Sequence, residues 1–186
     1  IAAANRSQGT RMVLISGPSS SGKTTSAKRL GIQLRILGLN PVLISLDDYF
    51  VDREKSQKDE NGDYDYEALE ALDLELVNEH ITALLAGREV DIPKFDFLTG
   101  KRTKGYKMRI SPDELLVIEG IHGLNEKLTA SVPADKKYRI FICPLTGTNI
   151  DFHNRIGTTD TRLLRRLVRD ARTRGHSAEA TLMQWP

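Results

Sequence analysis

Residues 17–24 read GPSSSGKT, which meets the spacing G-x-x-x-x-G-K-[ST] at Gly17, Gly22, Lys23 and Thr24. By average residue usage, those four positions coincide by chance in about one chain of this length in a hundred. The flanking sequence narrows the reading further. Residues 12–16, MVLIS, form a short apolar run of the kind that makes a buried parallel strand. From Lys23 the pattern turns helical, with Ala27, Leu30, Leu34 and Leu37 on one stripe and Gly38 as a stop. A strand, a glycine-bearing loop and a helix in that order cradle phosphate. Gly17 and Gly22 let the backbone turn tightly, so that successive N–H groups point at an anion. The helix adds its positive N-terminal end. Lys23 reaches the β- and γ-phosphates and the Thr24 hydroxyl ligates Mg²⁺. The expected nucleotide-binding set is Gly17, Ser19, Ser20, Ser21, Gly22, Lys23, Thr24 and Thr25.

The rest of the chain continues the alternation of strand and helix. Residues 42–46 (VLISL) read as a second buried strand ending in Asp47-Asp48-Tyr49-Phe50, and the polar stretch 52–65 reads as loop. Asp73 is placed to cap a helix with Leu74, Val77, Ile81, Leu84 and Leu85 on one face and Gly87 at its end. Residues 90–97 and 106–110 read as two strands joined by the basic turn TGKRTKG, a projecting hairpin. Leu115–Glu119 and Tyr138–Cys143 supply two further strands, and the segment from Asp160 onwards is helical. This pattern predicts an α/β fold, a P-loop-type doubly wound parallel sheet with helices on both faces.

A chain of 186 residues fits one such domain, expected here over residues 12–186. Its net charge of +2 gives no argument for nucleic acid. The lone Cys143 cannot form an internal disulfide, and its apolar neighbours predict a buried thiol in a reducing, cytoplasmic setting. No apolar run approaches the roughly 18 residues of a membrane span. Residues 1–11 begin without Met and lack the pattern of a signal peptide, so they read as a linker or the tail of an upstream region. Homo-oligomerisation is left open by the sequence.

In doubly wound sheets, ligands lie at the carboxyl ends of strands. Asp47 and Glu119 stand at two such ends. One carboxylate there can accept the proton of an attacking hydroxyl while another helps to hold magnesium. Their plainer readings are a turn residue for Asp47 and a salt-bridge partner for Glu119. Residues 155–174 contain seven arginines. At about 100° per residue, Arg162, Arg165, Arg166, Arg169 and Arg172 share one helical face, opposite Leu163, Leu164, Leu167, Val168 and Ala171. That face is either a lid whose guanidinium groups stabilise a transferring phosphoryl, a solvated basic surface, or a nucleic-acid surface. The interleaved aromatics of a single-strand binder are missing from it.

Taken in order, GPSSSGKTT, LDDYF, YDYEALEALD, IPKFDF, IEGI and DTRLLRRLVRDARTRG resemble the uridine kinase family, within the group that includes phosphoribulokinase. The resemblance covers nearly all of the chain from Met12. It implies ATP- and Mg²⁺-dependent phosphorylation of a nucleoside 5′-hydroxyl, uridine or cytidine, with a small-molecule partner and neither nucleic acid nor membrane. By the same resemblance Asp47 matches the catalytic carboxylate, and Glu119 lies in a magnesium-associated motif beside Thr24 and Asp47. Asp65 matches a residue that binds the ribose hydroxyls, where a carboxylate can accept two hydrogen bonds from a cis-diol. Phe95 and Phe97 fall in the hairpin that covers the base. Arg166 and Gln184 match substrate-side lid positions, His176 stands at another such position, and Arg169 and Arg174 match residues that grip ATP phosphates. Asp65 also reads as a loop acid, Phe95 and Phe97 as core, and Gln184 as an exposed helical residue.

Three positions depart from the family pattern. Phe95 stands where a tyrosine is expected, Gly100 where a histidine is, and His176 where an arginine is. A site that loses its polar groups loses discrimination, so another small alcohol, such as a sugar phosphate or a pantothenate-like acceptor, is a second reading. A nucleotide-sensing module without transfer is a third. The resemblance also leads to the expectation of a further core strand and helix beyond Pro186.

Overall fold

The computed structural model describes residues 1–58, 64, 65, 67–144, 149 and 151–185. Residues 59–63 of the polar loop, Tyr66 of the YDYEALEALD motif and Pro186 lie outside the described residues. The chain divides into two compact units, Ile1–Gly17 with Lys23–Phe141, and Pro18–Gly22 with Ile142–Pro186.

The first unit is built on a four-stranded parallel sheet. In chain order it holds α1 (Ala2–Gln8), β1 (Met12–Ser16), α2 (Lys23–Ile36), β2 (Asn40–Ser45), α3 (Leu74–Leu85), β3 (Val90–Asp96), β4 (Lys101–Met108), β5 (Glu114–Glu119) and β6 (Lys137–Phe141). The sheet order is β2-β5-β1-β6, and β3 pairs with β4 as a separate antiparallel hairpin. Because β5 enters between β1 and β2, the carboxyl ends of these three strands lie side by side, with Ile15 and Ser45 both in register with Glu119.

The two faces of the sheet are covered differently, as the period-2 geometry of strands requires. Met12, Leu14, Ile44, Leu116 and Ile118 join one buried cluster with Val77, Ile81 and Leu84 of α3 and with Ile92 and Phe95 of β3. On the other face α2 approaches β2 closely, since a Cβ on Gly31 would stand 3.4 Å from Leu43. Helix α2 buries Ala27, Gly31 and Leu34, while Leu37 from the expected stripe is exposed. Helix α3 starts as expected, with Asp73 Oδ1 accepting the Leu76 N–H at 3.1 Å.

The hairpin turn is tighter than the sequence predicts. Strand β4 begins at Lys101, so most of the basic segment TGKRTKG is strand, and the reversal occupies residues 97–100. Asp96 fixes it: its carboxylate accepts from Leu98 N–H and the Thr99 hydroxyl, and its carbonyl accepts from Gly100 N–H. Strand β6 stops at Phe141, and Cys143 is exposed, contrary to the buried thiol expected. Part of the segment read as a linker, residues 2–8, is helical.

The second unit holds α4 (Thr158–Thr173), α5 (Ala178–Met183) and loop residues 18–22. The amphipathic pattern of α4 is turned opposite to a helix that buries its leucines. Leu164 and Val168 are 61% and 56% exposed, whereas Arg166 and Asp170 are buried. Among the described residues, no helix is long and apolar enough to cross a membrane.

Candidate active site

In the first unit, Glu119 is the centre of a small polar cluster. The Thr24 hydroxyl, in the first turn of α2, donates to Glu119 Oε1 at 2.9 Å. The Ser45 hydroxyl, at the end of β2, donates to the same oxygen at 2.8 Å. Both bonds fall on Oε1, so the geometry leaves Oε2 outside them. Burial pushes the Glu119 carboxyl above the usual glutamate range, and the charge of Asp47 pushes it further the same way. The two hydroxyls and Lys23 oppose that shift without cancelling it. Two acids and one buried lysine in a low-dielectric pocket make a place where added positive charge is stabilised.

Asp47 stands in the 3₁₀ turn Leu46–Tyr49 that follows β2. This turn touches the end of β5 directly. A Cβ at Gly120 would lie 2.6 Å from Leu46 Cβ, so only glycine allows the two chain segments to meet there. Neighbouring side chains brace the turn. Asp48 pairs with Lys94 of β3 at 2.8 Å, and the buried Tyr49 hydroxyl lies 3.1 Å from His80 Nδ1 in α3.

Asp65 uses Oδ1 to accept the N–H groups of Glu67 and Ala68, at 2.8 and 3.0 Å. It therefore orders the chain ahead of α3, with Oδ2 outside these bonds. Phe95 is only 4% exposed and packs with Phe50 and Phe97 in an aromatic cluster, so its ring belongs to the core. Phe97 is half-buried. Thr25 is exposed on α2.

In the second unit, the phosphate-loop residues 18–22 lie against the arginine face of α4. Ser20 and Gly22 both take positive φ, 59° and 97°, as a loop that turns its amides to one side requires. Arg162 Nε donates to the Ser19 carbonyl at 3.2 Å, and Arg169 Nη1 donates to the Ser19 hydroxyl at 3.3 Å. Arg165 reaches Gly22, with its Nη2 3.5 Å from where a Cβ would be. The basic face is therefore engaged with the loop at three arginines, while Arg172 stays exposed.

Asp170 makes this possible. It is 1% exposed, and its carboxylate bonds Arg169 at 2.8 Å and pairs with Arg166 at 3.5 Å and Arg174 at 3.8 Å. A buried acid among arginines offsets the cost of crowding like charges. Arg162 and Arg166 also lie over the Trp185 ring, at 5.2 and 5.7 Å from its centroid. His176 is half-buried, with its N–H on the Asp170 carbonyl, and Gln184 is exposed at the end of α5. Ser45 and Asp170 were missing from the expected site, whereas Arg162 was read on the arginine face. Asp170 left a trace in the sequence, as the one acid inside an arginine run at i+4 from Arg166.

The profile of the Phosphoribulokinase / Uridine kinase family matches residues 12–186. The chain belongs to that family. It is therefore a P-loop kinase, a phosphotransferase that draws on ATP. Among curated relatives of the family, a uridine kinase of Halobacterium salinarum is 29% identical over 172 residues, covering 92% of this chain and 67% of the relative. A uridine kinase of Staphylococcus aureus is 28% identical over 176 residues, covering 95% and 76%. A solved structure described as a possible uridine kinase from Bacillus stearothermophilus aligns with a TM-score of 0.57 at 24% identity, covering 70% of this chain and 68% of that one. At that identity the structure speaks to the fold alone, and the fold agrees.

Proposed function

We propose that this kinase transfers the γ-phosphate of ATP to the 5′-hydroxyl of a nucleoside, uridine or cytidine. The observation that carries the proposal is the convergence of Thr24, Ser45, Asp47 and Lys23 on Glu119 at the carboxyl ends of three adjoining strands. The curated relatives named uridine kinase support the choice of acceptor.

The roles follow from the chemistry of each group. In the second unit the amides of residues 18–22 bind phosphate, and Arg162 and Arg169, already bonded to Ser19, add charge that a phosphoryl group can use. Lys23 is assigned to the phosphates by its place in the motif. Asp47 accepts the proton of the attacking hydroxyl. Asp65 Oδ2 takes a ribose hydroxyl while Oδ1 holds the turn. Arg166, Arg174, His176 and Gln184 are assigned to the lid on the resemblance of their motif.

Mg²⁺ suits the donor set. It usually binds through one or two carboxylates with hydroxyl, water and phosphate oxygens completing the shell. Thr24 Oγ1, Glu119 and Asp47 would hold it, since Thr24 is already bonded to Glu119 and the Asp47 charge acts on the same carboxyl. Bound there, the ion would neutralise charge on the β- and γ-phosphates.

A panel of nucleosides, sugar phosphates and pantothenate assayed for ADP release with Mg-ATP tests the proposal. Turnover with pyrimidine nucleosides supports it. Turnover confined to sugar phosphates or pantothenate transfers the same machinery to another alcohol and ends the nucleoside reading.

A further inference from the structure

Asp52 and Arg53, five and six residues beyond Asp47, grip the β3–β4 hairpin. The Arg53 N–H donates to Gly100 O at 2.8 Å, and its Nη2 donates to Phe97 O at 2.9 Å. Asp52 Oδ1 accepts the Arg102 N–H at 2.9 Å. The Arg102 guanidinium completes the clamp by reaching Asp73 Oδ2 at 2.9 Å and Phe50 O at 3.1 Å. The turn 97–100 is held to the chain after Asp47 at both its ends.

Arg53 also occupies the space that a side chain at position 100 would fill. Gly100 has φ +68°, and a Cβ there would stand 2.5 Å from Arg53 Nε, 2.7 Å from Cζ and 2.9 Å from Cβ. The last of these atoms cannot swing aside. A side chain at 100 and the present seat of Arg53 exclude each other. Arg53 Nε is buried without a hydrogen-bond partner among the described residues, a state that costs free energy unless a ligand or water relieves it. The Phe97 whose carbonyl Arg53 holds has its ring 5.1 Å from Phe95 and 6.0 Å from Phe50, edge-on to both.

We propose that Arg53 is the specificity-determining residue on the acceptor side, supplying the polar group that Gly100 cannot, to a planar heterocycle lying by Phe97. The inference rests on the nucleoside reading and sharpens it. A guanidinium donates hydrogen bonds and accepts none. It therefore favours a ring edge that presents a carbonyl oxygen over one that presents an amino group. A pyrimidine nucleoside with an oxo group at that edge, uridine, is the preferred acceptor over cytidine. Sites built to bond one polar group reject the analogue that lacks it by large factors.

Steady-state kinetics on uridine and cytidine, for the unaltered chain, Arg53→Ala and Arg53→Lys, test this. The expected result is a uridine preference of about tenfold or more in kcat/KM, roughly the worth of one well-placed hydrogen bond. It should collapse in Arg53→Ala through acceptor KM, with ATP KM held, and return in part with Arg53→Lys. A preference unchanged by Arg53→Ala, or acceptor and ATP KM rising together, overturns the assignment while leaving the nucleoside kinase intact. Absence of turnover with every nucleoside, with Mg-ATP binding retained, overturns both. A second readout needs no substrate. Gly100→Ala should lower Tm in the unaltered chain more than it does in Arg53→Gly, which also removes the Cβ, and equal losses in the two backgrounds would contradict the shared volume.

Discussion

Thr24 and Glu119, 95 residues apart in sequence, are joined by a 2.9 Å hydrogen bond that links the phosphate-loop helix to the end of β5. The bond ends on a carboxylate that burial and Asp47 push toward its protonated form. Ionising Glu119 therefore costs free energy in the folded chain, and this makes a test independent of catalysis.

Glu119→Gln keeps Oε1 as an acceptor for Thr24 and Ser45 but removes the charge. Because the Glu119 pKa is raised in the folded chain, its contribution to stability is full below the ordinary glutamate range and is lost as pH rises through the folded value. Relative to the unaltered chain, Glu119→Gln should gain Tm as pH rises from the acidic range to neutrality, then level off. Its affinity for Mg-ATP should fall by about 10–100-fold, as for other groups that hold or orient a metal. Thermal melts across pH and calorimetry with Mg-ATP measure both; a Tm difference independent of pH would remove the buried-charge account.

Asp47→Asn retains the shape of the turn after β2 and removes the base. Its kcat should drop by about 10²–10⁴, the usual worth of a positioned general base, with ATP binding little changed. Single-turnover kinetics separate the two, and unaltered turnover would take Asp47 out of the role assigned to it.

How legible these features were depended on where their signal lies. The phosphate loop and Glu119 could be read because their chemistry is written in consecutive residues. Ser45 could not, since a serine ending an apolar strand acquires its role only when β5 enters beside β2. The hairpin turn was misplaced because β4 is largely solvent-facing and so lacks the apolar alternation that marks a strand. Cys143 was misjudged for a related reason: β6 is an edge strand that ends at an exposed Phe141, so apolar neighbours did not mean burial.

Asp170→Asn should loosen the second unit. It leaves Arg166, Arg169 and Arg174 without their shared carboxylate. Breaking a buried pair costs about 3–5 kcal/mol; since Arg169 and Arg174 keep contact with solvent, roughly 2–3 kcal/mol is expected here. Hydrogen exchange should show faster opening of α4 and α5, and unchanged protection there would mean that the arginine face does not depend on Asp170.

Asp73→Ala removes two interactions at once, the cap on Leu76 N–H and the ion pair to Arg102. The cap is worth about 1 kcal/mol and the half-exposed pair less. A chain of this size should lose roughly 2–8 °C in Tm. A loss no greater than that of Asp73→Asn, which keeps a capping oxygen and removes the charge, would assign the cap no weight.

The most direct test of the central claim is ³¹P NMR of the protein with Mg-ATP and uridine. The account predicts that ADP and uridine 5′-monophosphate appear together in equal amounts, and that Asp47→Asn slows both by about 10²–10⁴. ATP hydrolysed to free phosphate with no nucleotide product from uridine or cytidine would contradict it.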